Sequence, residues 1–255
     1  MNKNLFRVVT VVLVTLGTIT VNVLANALPI NGLNTGQISD SFDVLFVPAG
    51  YVFSIWGLIY LGLIAHAIFQ ALPSQWENPR LQATGWWVVL GGLANSIWIF
   101  LWHYEQFVGT LGAMLILLAS LIAVYLRLGT GLTRVPAAET WAVRVPFSIY
   151  LGWISVATIA NVSDVLDVVG WNQFGISDGT WMIAILAVVV ALAGVMNYIR
   201  RDIAYTAVLL WALAGIGVKF PAQGIVTTAI WVAFVLVVAA LGLALAYRNP
   251  ALKKA

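Results

Sequence analysis

Residues 107–128 read FVGTLGAMLILLASLIAVYLRL, and their one charge, Arg127, stands next to the last position. About 20 consecutive apolar residues let an α-helix cross the hydrocarbon core of a bilayer, so this stretch reads as a span. Working outward, 82–102 and 145–166 flank it, 7–28 and 51–72 come before, and 180–199, 203–219 and 224–247 follow. The stretch 203–219 is the shortest. Little chain is left over for a soluble domain. The predicted fold class is all-α: a polytopic membrane helical bundle of about eight transmembrane helices.

The composition points the same way. Of 255 residues, 62% are apolar and only 8% charged, against about 25% charged in soluble domains. The net charge of +3 rests on 12 basic residues, too few and too scattered for a nucleic-acid surface. The expected partner is the lipid bilayer, with no nucleic acid. The absence of cysteine removes thiol catalysis, Cys-ligated zinc and iron–sulfur chemistry.

With eight spans, Lys3, Arg7, Arg80, Arg127, Arg134, Arg144, Arg200, Arg201, Arg248, Lys253 and Lys254 share one side, and Lys219 alone lies on the other. Basic residues stay cytoplasmic. Both termini are therefore expected inside, in a cytoplasmic membrane. Asp40, Asp43, Glu105, Asp164, Asp167 and Asp178 all fall outside. Ala25-Asn26-Ala27 resembles a signal-peptide cleavage site, but the apolar run before it is longer than a usual signal core, so the first span is expected to be retained. The connection 29–50 mixes Pro and Gly with Ile30, Leu33, Phe42, Leu45 and Phe46, which predicts a cover folded over the helix ends.

No Asp or Glu lies at the centre of a span, which counts against proton-coupled pumps. His66 lies well inside the second span and reads as a hydrogen-bonded structural residue; His103, at an outer helix end, reads as interfacial. No catalytic or metal-binding motif is present. Gly91, Gly92 and Ser96 offer a small-residue face for a neighbouring helix or a second copy.

The 12 tryptophans fall into two groups. Trp76, Trp86, Trp87, Trp102, Trp141, Trp171 and Trp181 lie near span ends and read as an aromatic belt. Trp56, Trp98, Trp153, Trp211 and Trp231 lie deeper. Trp56 and Tyr60 are four apart, Asn95 and Trp98 three apart, and Trp153, Ala157 and Asn161 step by four, so each set shares a helix face. All lie roughly 6–20 Å below the outer surface at about 1.5 Å per residue. An aromatic cavity with two amides under an apolar loop suits a flat hydrophobic small molecule.

At these residues the chain resembles the TspO/MBR family, the tryptophan-rich sensory proteins related to the mitochondrial translocator. Pro48-Ala49-Gly50-Tyr51-Val52-Phe53-Ser54-Ile55-Trp56-Gly57-Leu58-Ile59-Tyr60-Leu61-Gly62 resembles the family's second-helix signature. Asn95-Ser96-Ile97-Trp98 resembles its third-helix Asn-x-x-Trp. The run from Tyr150-Leu151-Gly152-Trp153 through Ala157 to Asn161 resembles its fifth-helix motif. The resemblance implies a five-helix core over residues 1–166, often dimeric, so a homodimer is an expectation. It leaves 167–255 as a three-helix extension of the same membrane unit.

The resemblance also implies a pocket for porphyrins, haem-related tetrapyrroles or sterols, closed by the first loop. Trp56 and Trp153 match the tryptophans linked to porphyrin binding and light-dependent breakdown. Asn95, Trp98 and Ala157 match pocket-lining positions, and Phe53, Tyr60 and Asn161 stand in the motifs beside them. A bound porphyrin or haem-like ligand is thus implied, with no cofactor required. Ala49, Phe46 and Ile99 depart from the family pattern, and Val162–Asp167 lacks its sterol-contact Tyr and Arg. The remaining alternatives are a facilitator of hydrophobic metabolites and a porphyrin-degrading enzyme; no acid–base or metal constellation supports the latter.

Overall fold

A computed structural model describes residues 3–28, 30–222 and 224–246. Pro29 and the basic residues Arg248, Lys253 and Lys254 of the charge pattern lie outside the described residues, as does the last position of the segment 224–247. Eight long helices follow in order: α1 Lys3–Ala27, α2 Ile55–Ala71, α3 Pro79–His103, α4 Phe107–Leu128, α5 Val145–Val168, α6 Asp178–Arg200, α7 Ile203–Lys219 and α8 Ile225–Ala246. Seven are long and apolar enough to cross a membrane, counting the turns that lead into α2 and α5; α7, with 17 residues, is shorter. No strand occurs among the described residues.

The helix limits have local causes. Asn78 caps α3 by accepting from the Arg80 amide, with Pro79 in the first turn. Ser177 caps α6 and Asp202 caps α7 in the same way. Such side chains satisfy amides that have no partner within the helix. Gly129 ends α4 in the left-handed conformation, at φ 62°. The fifth helix begins at the expected 145, but helical chain leads into it from earlier, through Ala137–Glu139 and a π-turn at Thr140–Arg144. Pro146 explains the wide turn: it has no N–H to give and its ring crowds the preceding turn.

The first five helices close into a ring in the order α1, α3, α4, α5, α2, each packed on the next and α2 back on α1. The α1–α3 contact uses Gly92, where a Cβ would stand 2.8 Å from Val14 Cγ1 and 2.9 Å from Thr18 Oγ1. Thr18 donates to the Gly92 carbonyl at 3.0 Å, and Ser96 donates to Thr18 at 3.4 Å. Small residues let membrane helices approach this closely. The Gly92–Ser96 face is therefore filled by α1 and does not serve a second copy. Helices α6, α7 and α8 pack on one another, and α7 docks the group onto α5.

At one end of the ring lies an arginine cluster. Arg80 holds the buried Glu139 by two bonds, at 2.5 and 2.7 Å, and Asn78 adds a third at 3.2 Å. Arg144 closes the α4–α5 connection on the carbonyls of Leu128 and Thr133. The other end carries the connection 29–50, whose described residues 30–50 fold over the ring. It contributes a short helix, Thr35–Ser39, and the buried Ile38, Phe46 and Val47.

Two expectations change here. His103 is not interfacial but buried beneath the cover. Its Nδ1 donates to the Ile30 carbonyl (3.1 Å), which leaves Nε2 to accept from the Thr35 hydroxyl (3.2 Å). His66 is buried too, but without the expected bond: Nδ1 has no partner, and the ring lies edge-on to Phe147 at 4.9 Å. The aromatic contact with Phe147 stands in place of that bond.

Candidate functional site

The cavity beneath the cover is built by five elements, of which α4 contributes Met114. The 3₁₀ turn Gly50–Ser54 and the start of α2 bring Phe53 and Trp56; α3 brings Trp98 and Trp102; α5 brings Trp153, Ala157, Asn161 and Asp164; the cover adds Thr35, Ser39 and Pro48. The α5 residues recur every three or four positions and so form one stripe. Trp98 and Trp102 stack at 5.0 Å, nearly parallel, to make one wall. Trp56 meets Trp153 edge-on at 6.3 Å, and Phe53 meets Trp153 at 5.8 Å, to make the opposite one.

Six of the eight expected residues thus line one space: Phe53, Trp56, Trp98, Trp153, Ala157 and Asn161. Tyr60 and Asn95 do not line it. Tyr60 lies behind Trp56 and stacks on it at 5.6 Å. Asn95 is inside the ring, accepting from Asn22 (2.6 Å) and donating to the Tyr150 hydroxyl (3.0 Å). Asn161 is also engaged: it accepts from the Trp98 indole (3.2 Å) and donates to Thr110 (2.8 Å). The two amides tie helices together, and neither has its full hydrogen-bonding capacity left for a ligand.

Trp102, expected in the belt, is 2% exposed and lines the cavity. The cover buries it: its indole donates to the Thr35 carbonyl at 3.2 Å, and Phe42 packs on its ring at 5.6 Å. Spacing offered a signal that went unused, since Trp102 stands four residues after Trp98 on the same face. Asp164 lies in the same stripe of α5 and is buried in the cavity wall. Two of the deeper tryptophans remain half exposed. Trp211 donates to the Val52 carbonyl at the root of the cover, and Trp231 packs over Gly217.

The cavity volume is about 50 Å³, well below the roughly 300–1,000 Å³ of drug-sized ligand sites. A flat ligand would have to push the cover or the tryptophans apart. Among the described residues, no three acidic or histidine side chains come together to hold a metal ion. Trp153 has a buried indole N–H with no partner.

A ring of long apolar helices with a tryptophan-walled cavity under its first connection defines a polytopic all-α integral membrane protein. The chain matches the family model described as TSPO-like protein over residues 8–242 and belongs to that family. The match runs through α6 and α7 into α8, beyond the motifs that end at Asn161. Neither a search of curated proteins nor one of solved structures gives a match.

Proposed function

We propose that this chain is a sensory and binding protein of the membrane. It takes a flat hydrophobic ligand, porphyrin- or tetrapyrrole-like, between Trp56 and Trp153 under the cover formed by residues 29–50. The convergence of Phe53, Trp56, Trp98, Trp102, Trp153 and Ala157 on one cavity carries this reading. Aromatic faces suit a planar π-system, and Ala157 leaves room between the rings. Because the cavity is small, binding includes an outward shift of the cover. The basic-residue pattern supports a cytoplasmic-membrane orientation with both termini inside.

The test is quenching of tryptophan fluorescence by a porphyrin in purified protein. Replacing both Trp56 and Trp153 by Phe should weaken binding at least about tenfold, since base-like planar rings lose roughly 1–3 kcal/mol per stacking partner. Ala157→Leu should block binding while the protein still unfolds at its usual temperature. Unchanged affinity in both variants would place the ligand elsewhere.

A further inference from the structure

Asp164 is the carboxylate in the cavity wall, and it is 3% exposed. Among the described residues its side chain makes no hydrogen bond and no ion pair. Lys219, the basic residue at this end of the bundle, gives its ammonium to Asp40 at 2.6 Å instead. Asp167, one turn further along α5, adds like charge. A buried carboxylate with no hydrogen-bond partner is costly, and among the described basic residues only the charge of Lys219 works against that cost.

A second observation comes from the same helix: Trp153, about 16 Å deeper at 1.5 Å per residue, keeps its buried N–H unpaired. The remaining wall is electron-rich, with the faces and edges of Phe53, Trp56, Trp98 and Trp102 around the space. Aromatic faces attract cations through their quadrupole, and a carboxylate accepts a charge-assisted bond from a protonated amine. Asp164 stands seven residues beyond Ala157, about 10 Å nearer the cover at 1.5 Å per residue. An amine bonded there would sit under the cover while an attached flat body reached down toward Ala157.

We propose that the cavity selects an organic cation, a flat apolar body bearing a protonated amine, with Asp164 as the residue that reads the charge. This rests on the cavity being the binding site. Neutral flat molecules would bind by stacking alone, and molecules presenting a carboxylate to Asp164 would be repelled.

The experiment uses the full chain in phosphatidylcholine nanodiscs near neutral pH, with protein-free nanodiscs as baseline. The probes are 9-aminoacridine, a flat cation, and acridine, its neutral parent, read by tryptophan quenching. The expected result is at least about tenfold tighter binding of the cation. Asp164→Asn should abolish that preference, bringing the two probes to within about twofold of each other, and Asp164→Glu should keep it. Equal affinity of the two probes for the unaltered protein, or a preference that survives Asp164→Asn, overturns the assignment while leaving the cavity as the binding site. If neither probe quenches, the cavity reading falls together with it. Because the first comparison uses the unaltered protein, it stands even if Asp164→Asn fails to fold.

Discussion

The indole N–H of Trp211 donates to the backbone carbonyl of Val52 at 3.1 Å, across 159 positions of sequence. This bond joins α7 to the root of the cover. It is reinforced by the Ala49 amide, which donates to the Gly215 carbonyl at 3.2 Å, and by the Lys219–Asp40 ion pair. The C-terminal helices therefore hold the element that closes the cavity.

Gly215 is the tightest point of that junction. A Cβ there would stand 2.1 Å from Val52 Cγ2, so Gly215→Ala forces α7 and the cover apart. Overpacking of this kind costs about 1–3 kcal/mol. The expected readings are a lower thermal midpoint in detergent and faster proteolysis between residues 29 and 50. A variant with native values in both would show that the junction is looser than its geometry.

Asn95 links three helices through Asn22 and Tyr150. Asn95→Leu removes both bonds and should lower stability by about 1 kcal/mol, in line with interhelical hydrogen bonds in membranes. Since Asn95 is outside the cavity wall, porphyrin affinity should change little at temperatures where the variant is folded. A large loss of affinity with intact stability would assign it a direct contact instead.

Arg80 and Glu139 test the cluster at the other end. Arg80→Met leaves Glu139 buried with only Asn78 as partner. Breaking a buried pair from one side costs about 3–5 kcal/mol, but Arg80 is partly exposed, so about 2 kcal/mol is expected. Adding Glu139→Met should recover most of it. A double variant no more stable than the single one would mean that the desolvated charge is not the source of the loss.

The chain has no cysteine, so single replacements report orientation directly. Ser41, in the cover, and Ser74, between α2 and α3, are both exposed. A membrane-impermeant maleimide should label Ser41→Cys in intact cells and Ser74→Cys only after permeabilisation. The reverse pattern would invert the assignment made from the basic residues.

Much of the fold was legible in the residues themselves. All eight segments became helices, and most limits agree within a few positions; the helical lead-in to α5 over Ala137–Arg144 was not foreseen. The faces of α2, α3 and α5 were also legible, since a spacing of three or four places side chains together on any helix. Spacing could not say which way a face looks. Asn95 and Trp98 share one, yet Asn95 turns into the ring beside Asn22 while Trp98 reaches the cavity. Trp102 resembled any belt tryptophan until the cover, whose Thr35 lies 67 residues earlier, took it out of the interface.

What the sequence by itself determined is local: the helical spans, their apolar character and the stripes of aromatic residues. Apolar length and side-chain period depend on neighbours within a few turns. Only the tertiary structure decided the ring order α1, α3, α4, α5, α2, the clasp of α7 on the cover, and the burial of Asp164 in a tryptophan wall. Each of these depends on contacts between segments tens of residues apart. Side-chain shape and unpaired polar atoms settle them, and no periodicity along the chain records those.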